Sequence, residues 1–330
     1  MKAALITAPH TIEIADVPDP TPRDGEVVIR VAASGLCGTD IHIVEGEYAA
    51  NLPIIPGHEF SGTVVAVGRG VHELRVGDRV TADPNIPCLR CSFCHDGRVN
   101  LCDNYAALGV TINGGSAEYL AVQEHLCVRV PDNVALRDAA LVEPLSCALH
   151  AWDLIGRSDG LRVGLYGSGT MGLMMLQLAQ HLGAASIDVI DINPHKLVAA
   201  TELGAATHAS SIEANPGDGW DLVIDATGAA PAIQDGLAHV RKGGTFLQFG
   251  VAHPDATVTI SPYWIYDKEI RILGAVCPQH SFERSVGLLA RGVIDPNLLI
   301  SDEYPIEDYA AALSTFAAGQ SRKVLIVPSS

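Results

Sequence analysis

At 330 residues, with 48% apolar and 18% charged residues, the chain is long enough for two domains and too apolar to be disordered. Its 21 Lys and Arg against 38 Asp and Glu give a formal charge of −17 with no basic stripe, which argues against nucleic acid or an anionic membrane as partner. The N-terminal "MKAALITAPHTIEIADVPDP" has neither the apolar core nor the cleavage site of a signal peptide, and no uncharged apolar span of ~18 residues follows, so a cytoplasmic protein is expected.

From residue 1 to about 140, short alternating runs read as strands: "KAALIT", "EVVIRVAAS", "SGTVVAVG", "DRVTA", "AEYLAV" and "CVRVP". Gly, Pro and Asp punctuate them closely, as in an antiparallel barrel. After Pro144 the rhythm becomes strand, glycine-rich turn, helix, strand. "LRVGLYGSG" leads to the helical "TMGLMMLQLAQHLG", "SIDVIDIN" to the helical "PHKLVAATELGA", and the strands "WDLVIDATG" and "GTFLQFG" come later. Such alternation builds parallel βαβ units. The tail, with helices in "SFERSVGLLARG" and "IEDYAAALSTFAAG" and a last strand "KVLIVP", is too short to fold alone and is expected to rejoin the first domain. The expected organisation is therefore α/β, with a nucleotide-binding domain over residues 147–284 inserted into a catalytic domain formed by 1–146 and 285–330.

"CLRCSFCHDGRVNLC" spaces Cys88, Cys91, Cys94 and Cys102 as C-x2-C-x2-C-x7-C. Turns of this length can aim four thiolates at one tetrahedral zinc, with Zn–S near ~2.3 Å, whereas four free thiols would seldom cluster so tightly. Four cysteines leave no open position, so this zinc is expected to be structural.

"GSGTMG" supplies Gly167, Gly169 and Gly172 as G-x-G-x-x-G, between an apolar strand and a helix that opens at Thr170 and Met171. The glycines allow the turn, the approach of a pyrophosphate and close helix packing, and the helix N-terminus favours the phosphate charge. Asp191, ending the next strand, is expected to hold the adenosine ribose and to repel a 2′-phosphate. With no Arg in "DINPHK", NAD is expected over NADP. Thr227 in "DATG" and Gly250 and Val251 in "FGV" end strands on the ligand-binding edge and are expected on the adenosine and nicotinamide sides.

Cys37, His58 and Glu59 suit a second metal, for which a catalytic zinc needs three protein ligands and one open position. Glu143, in "LVEPLSCALHA" at the hinge between the domains, is the candidate for the missing ligand. Singly, these residues also read as a buried thiol, a turn histidine and a helix-start acid. Asp40 is expected to fix the second nitrogen of the histidine. Thr39 is expected to take the substrate's hydroxyl proton, which travels by way of the ribose to His42 and solvent, although a surface histidine is the alternative for His42. Tyr48 is either a pocket wall or an ordinary tyrosine.

Together, "GLCGTDIH", "PGHEFSGTV", "VGDRV", the four-cysteine cluster, "EPLSCALHA" and "GSGTMG" resemble the zinc-dependent medium-chain dehydrogenase/reductase superfamily over essentially the whole chain. The glutamate of "EPLSCALHA" resembles the polyol dehydrogenase branch, which handles sorbitol, xylitol and related sugar alcohols. The resemblance implies a GroES-like β-barrel domain carrying a Rossmann doubly wound parallel sheet domain. It also implies Cys37, His58 and Glu143 on a catalytic zinc, Glu59 as a neighbour able to ligate, Thr39 and His42 in a proton relay, and a homo-oligomer, a tetramer before a dimer. The expected reaction is reversible oxidation of a secondary hydroxyl of a small polyol to a ketone with NAD. Threonine or butanediol-type dehydrogenation and a NAD-binding structural or regulatory protein are the alternatives.

Overall fold

The computed structural model describes residues 1–48, 50–157, 159–319 and 321–328. The chain divides into two compact units, one formed by Met1–Ser146 with Gln279–Ser330 and the other by Cys147–Pro278. The return to the first unit is anchored at once, because the buried Ser281 hydroxyl donates to Ser146 O at 2.8 Å.

The strands of the first unit are β1 (Lys2–Ala8), β2 (Thr11–Asp16), β3 (Glu26–Gly35), β4 (Glu59–Val67), β5 (Arg79–Ala82), β6 (Asn85–Ile86), β7 (Ala106–Ala107), β8 (Tyr119–Gln123) and β9 (Cys127–Arg129). Those of the second are β10 (Arg162–Tyr166), β11 (Ser186–Ile190), β12 (Ala206–His208), β13 (Trp220–Asp225), β14 (Val240–Gln248) and β15 (Arg271–Gly274). The first unit then regains β16 (Ile300–Pro305) and β17 (Lys323–Val327).

In the first unit the sheet runs β16-β17-β3-β4-β5-β9, with β8 also paired to β3. β3 is central, and its alternate residues on one face, Val27, Ile29 and Val31, pack with Phe60, Val64, Val80, Leu120 and Val122 in one core. A second core joins Ile6, Leu36, Ile43 and Ile54 to Tyr309, Leu313, Val324 and Ile326, so the C-terminal segment is part of this unit's interior. Burial of such side chains stabilises by roughly 1.5–3 kcal/mol each before entropy is counted.

Register then places the chemistry. β3 pairs antiparallel with β4, setting Gly35 against Glu59, and with β17, setting Gly35 against Leu325. Leu36 and Cys37 just past β3, His58 just before β4 and Lys323 at the start of β17 are thereby brought side by side.

The second unit is a parallel sheet in the order β12-β11-β10-β13-β14-β15. The order reverses at β10, where the first strand is followed by helix Thr170–His181, and this switch point is where open α/β sheets take ligands. The expected Rossmann and GroES-like architecture is present.

Candidate active site and metal centres

Four thiols from one loop meet in the first unit. Cys88, Cys91, Cys94 and Cys102 have ligand atoms all within 4.8 Å of one another. The short helix Ser92–His95 turns Cys94 back toward Cys91, and the 3-10 turn Val99–Leu101 delivers Cys102. The amide of Arg90 does most to hold Cys88 down to about 6, while desolvation, then Cys91 and Cys102, push Cys94 up to about 12. Four sulfurs gathered this closely by one short loop surround a position built for a cation. The donor set fits zinc and leaves no place for water or substrate.

The second cluster is Cys37, His58 and Glu59, whose donor atoms again lie within 4.8 Å of one another. Cys37 caps helix Gly38–Glu45. Its amide donates to Asp40 Oδ2 at 2.8 Å, and the helix stops at Gly46 in the left-handed region, φ 77°. Asp40 is fully buried, with its other oxygen, Oδ1, free of partners, as is His58 Nδ1. Burial raises Asp40 above the usual carboxylate range, against the pull of His58. Burial also works against a charge on His58, but Cys37, Asp40 and Glu143 together raise it well above its ordinary value. An imidazole among so many negative groups, with a thiol and a carboxylate at ligand distance, fits a divalent metal.

Glu143 lies in the first turn of helix Val142–Ile155 and is buried. Its charge reaches both His58 and Lys323, although it stands outside the set of three that share the 4.8 Å spacing. Thr39 follows Cys37 closely, with Cys37 Sγ 3.7 Å from Thr39 Oγ1. His42, one turn on and on the same helix face, is partly exposed and its Nδ1 lies 2.7 Å from Glu47 Oε2. Tyr48 is half exposed.

Sequence reading missed Lys323. Its Nζ donates to Leu36 O at 2.8 Å and to Glu59 Oε1 and Oε2 at 2.8 and 2.6 Å, inside the protein. Burial works against its charge, but Glu59, then Cys37 and Glu143, outweigh it and raise Lys323 above the usual ammonium range. The signal was a lone cation opening an apolar strand, "KVLIVP", because a lysine buried there demands an acid.

In the second unit, the turn after β10 has the shape a pyrophosphate needs. Gly167 has φ 98°, and a methyl on Gly172 would lie 2.0 Å from Gly167 O, so both positions require glycine. A methyl on Gly169 would meet nothing within 4 Å, and Gly169 caps the helix of Thr170 and Met171 with no side-chain hydrogen bond. The first amides of that helix therefore remain for an anion. Asp191 follows β11; its Oδ2 accepts from Ser168 N at 2.9 Å and Ser168 Oγ at 2.8 Å, and its Oδ1 from Asn193 N at 2.8 Å. Beyond it Ile192 is 92% exposed and offers no charge. Thr227 and Val251 are exposed on the loops after β13 and β14, and Gly250 lies between them and the strands. The glycine turn, open helix end and strand-end acid fit a dinucleotide.

Comparison with known proteins agrees. Residues 23–132 match the alcohol dehydrogenase GroES-like domain and residues 170–291 the zinc-binding dehydrogenase domain. The chain is 37% identical to D-arabinitol dehydrogenase 1 of Uromyces fabae, covering 99% of this chain and 97% of that protein. It is 32% identical, with the same coverage, to sorbitol dehydrogenase of Bacillus subtilis. Among solved structures, a zinc-binding dehydrogenase of Sinorhizobium meliloti bound to NADP matches with TM-score 0.96 and 35% identity over 99% of each chain. The chain belongs to the zinc-dependent medium-chain dehydrogenase/reductase family, in its polyol dehydrogenase branch.

Proposed function

We propose that the protein reversibly oxidises a secondary hydroxyl of a small polyol or sugar alcohol to a ketone, with NAD as hydride acceptor. The observation that carries this reading is the gathering of Cys37, His58 and Glu59 at mutual ligand distance beside a separate site closed by four thiols. The names of the relatives, arabinitol and sorbitol dehydrogenases, point to the same substrate class.

In this reading Cys37, His58 and Glu143 hold a catalytic zinc, with Glu59 exchanging between metal and Lys323, and the four cysteines hold a structural one. Gly167, Gly169, Thr170, Met171, Gly172, Asp191, Thr227, Gly250 and Val251 bind NAD. When bound, the zinc acidifies the substrate hydroxyl and the nicotinamide accepts the hydride.

The chain's residues do the rest. Thr39 takes the substrate's hydroxyl proton as it gives up its own, which travels by way of the ribose to His42 and solvent, with Glu47 steadying the imidazole. Asp40 acts on His58 through its charge, since Asp40 Oδ1 and His58 Nδ1 have no hydrogen-bond partner and Asp40 Oδ2 is taken by the Cys37 amide. One thiolate and two carboxylates, Cys37, Glu59 and Glu143, balance a divalent cation plus the Lys323 ammonium. The site is thus neutral, and a vicinal hydroxyl of a polyol adds a second oxygen contact without a charge penalty.

The chain is further read as cytoplasmic; no helix among the described residues is long and apolar enough to cross a membrane. It is read as a homo-oligomer, a tetramer before a dimer, in keeping with β15, an edge strand whose Ile272 is 41% exposed. Light scattering gives the subunit number directly.

The test is a panel of pentitols, hexitols, inositols, threonine and butanediol with NAD and NADP, alongside zinc analysis. NAD reduction with a polyol, and about two zinc ions per chain, supports the reading. One zinc and no reduction across the panel refutes it.

A further inference from the structure

Asp225 closes β13 and is fully buried. Its Oδ1 accepts from Thr227 N at 3.1 Å and Thr227 Oγ1 at 2.5 Å, and its Oδ2 from Gly228 N at 3.0 Å and Gln248 Nε2 at 2.8 Å. Its backbone oxygen accepts two more bonds, from Phe249 N at 3.1 Å and Gly250 N at 2.8 Å. Gln248 Nε2 also donates to Gly250 O at 2.7 Å, so a single residue ties the loop after β13 to the loop after β14. The two loops touch: a methyl on Gly228 would lie 2.1 Å from Val251 O, and one on Gly250 would lie 2.3 Å from Gly228 N and 2.8 Å from Asp225 Oδ2.

Strand pairing does not call for this acid. β13 and β14 stay in register from Leu222↔Thr245 through Asp225↔Gln248 by their own backbone bonds, and an apolar residue at the strand end would be buried at less cost than a carboxylate. The carboxylate spends its bonds on groups beyond the ladder. Those groups belong to loops at the carboxyl edge of the sheet, and they hold Thr227 and Val251 out toward solvent.

We propose that Asp225 is a positioning residue for the dinucleotide. Its carboxylate sets the spacing of Thr227–Gly228 against Phe249–Val251 before the cofactor arrives, so that binding does not have to order them. Gln248 is the second arm of the same clamp. This inference rests on the reading of the second unit as a NAD site.

Asp225→Asn tests it, because an amide group in place of one oxygen presents a donor to amides that also donate. Measured on the full-length protein without substrate, the Kd for NAD rises about tenfold or more, a change of about 1.4 kcal/mol per decade. Hydrogen exchange in the cofactor-free protein speeds up over residues 226–229 and 249–251 and stays unchanged in β10 and β11. Gln248→Ala, which leaves the carboxylate and the fold in place, speeds exchange over 249–251 alone and weakens NAD several-fold. It carries the test if Asp225→Asn does not fold. Wild-type protein that fails to bind NAD overturns the cofactor reading itself. Wild-type protein that binds NAD, with both variants binding equally well and exchanging at the same rate, overturns the role of Asp225 alone.

Discussion

Lys323 Nζ donates to both carboxylate oxygens of Glu59, at 2.8 and 2.6 Å, with both side chains buried beside Cys37 and His58. A pair held this way fixes the charge balance of the whole cluster. Replacing Lys323 by Met leaves Glu59 without its partner and the cluster with one negative charge in excess, and breaking a buried pair from one side costs about 3–5 kcal/mol. Lys323→Met should lower the melting temperature of the metal-free protein and, by removing a neighbouring cation and freeing Glu59 for the metal, slow the loss of zinc to a chelator, whereas Lys323→Arg, which keeps the cation, should recover much of the wild-type behaviour in both. Thermal unfolding with metal analysis decides the matter, and a Met variant as stable as wild type would count against it.

Gly35 faces the same pair. A methyl there would lie 2.1 Å from Glu59 Oε2 and 3.2 Å from Glu59 Cβ, so Gly35→Ala must push Glu59 off its position although φ at Gly35 is unexceptional. Zinc content should fall from about two ions per chain toward about one, with the four-cysteine site intact and turnover reduced by at least about tenfold, or about 1.4 kcal/mol. Plasma emission analysis of the purified variant gives the count.

The layers of the protein were legible to different degrees, for physical reasons. The four-cysteine site was plain because its ligands are neighbours in sequence and a short loop suffices to close it. The glycine turn was plain because Gly167 and Gly172 have no substitutes in that geometry. Lys323 was not, because it meets Glu59 across 264 residues, and only the β3–β17 register brings them together. Helix Gly38–Glu45 was also missed. Its cap is a cysteine, an uncommon choice, and half of Asp40, assigned to a histidine, is spent on the Cys37 amide instead.

Asp191 accepts two hydrogen bonds from Ser168 in the turn it faces and one from Asn193 N in its own loop, and has exposed Ile192 after it, so its charge is the main local obstacle to a 2′-phosphate. Asp191→Gly should raise the ratio of kcat/KM with NADP to that with NAD by about tenfold or more, corresponding to about 1.4 kcal/mol. Since a solved relative is bound to NADP, steady-state kinetics with both cofactors is the deciding measurement, and an unchanged ratio would place discrimination elsewhere.

Thiol labelling separates the cysteines by cause. Burial pushes Cys127 up to about 12, and Glu124 adds to it, so at pH 8 its reactive thiolate is scarce and grows only as pH climbs. Cys88, Cys91, Cys94 and Cys102 should resist iodoacetamide for a different reason, namely the metal they are built to hold. Adding a strong chelator at pH 8 should therefore open these four to alkylation and leave Cys127 unlabelled, as read by mass spectrometry of the digested protein. Cys94→Ser should remove one zinc and lower the melting temperature without changing the Kd for NAD, because a closed thiolate site contributes folding energy. A variant that kept both zinc ions would show that the four sulfurs are not one site.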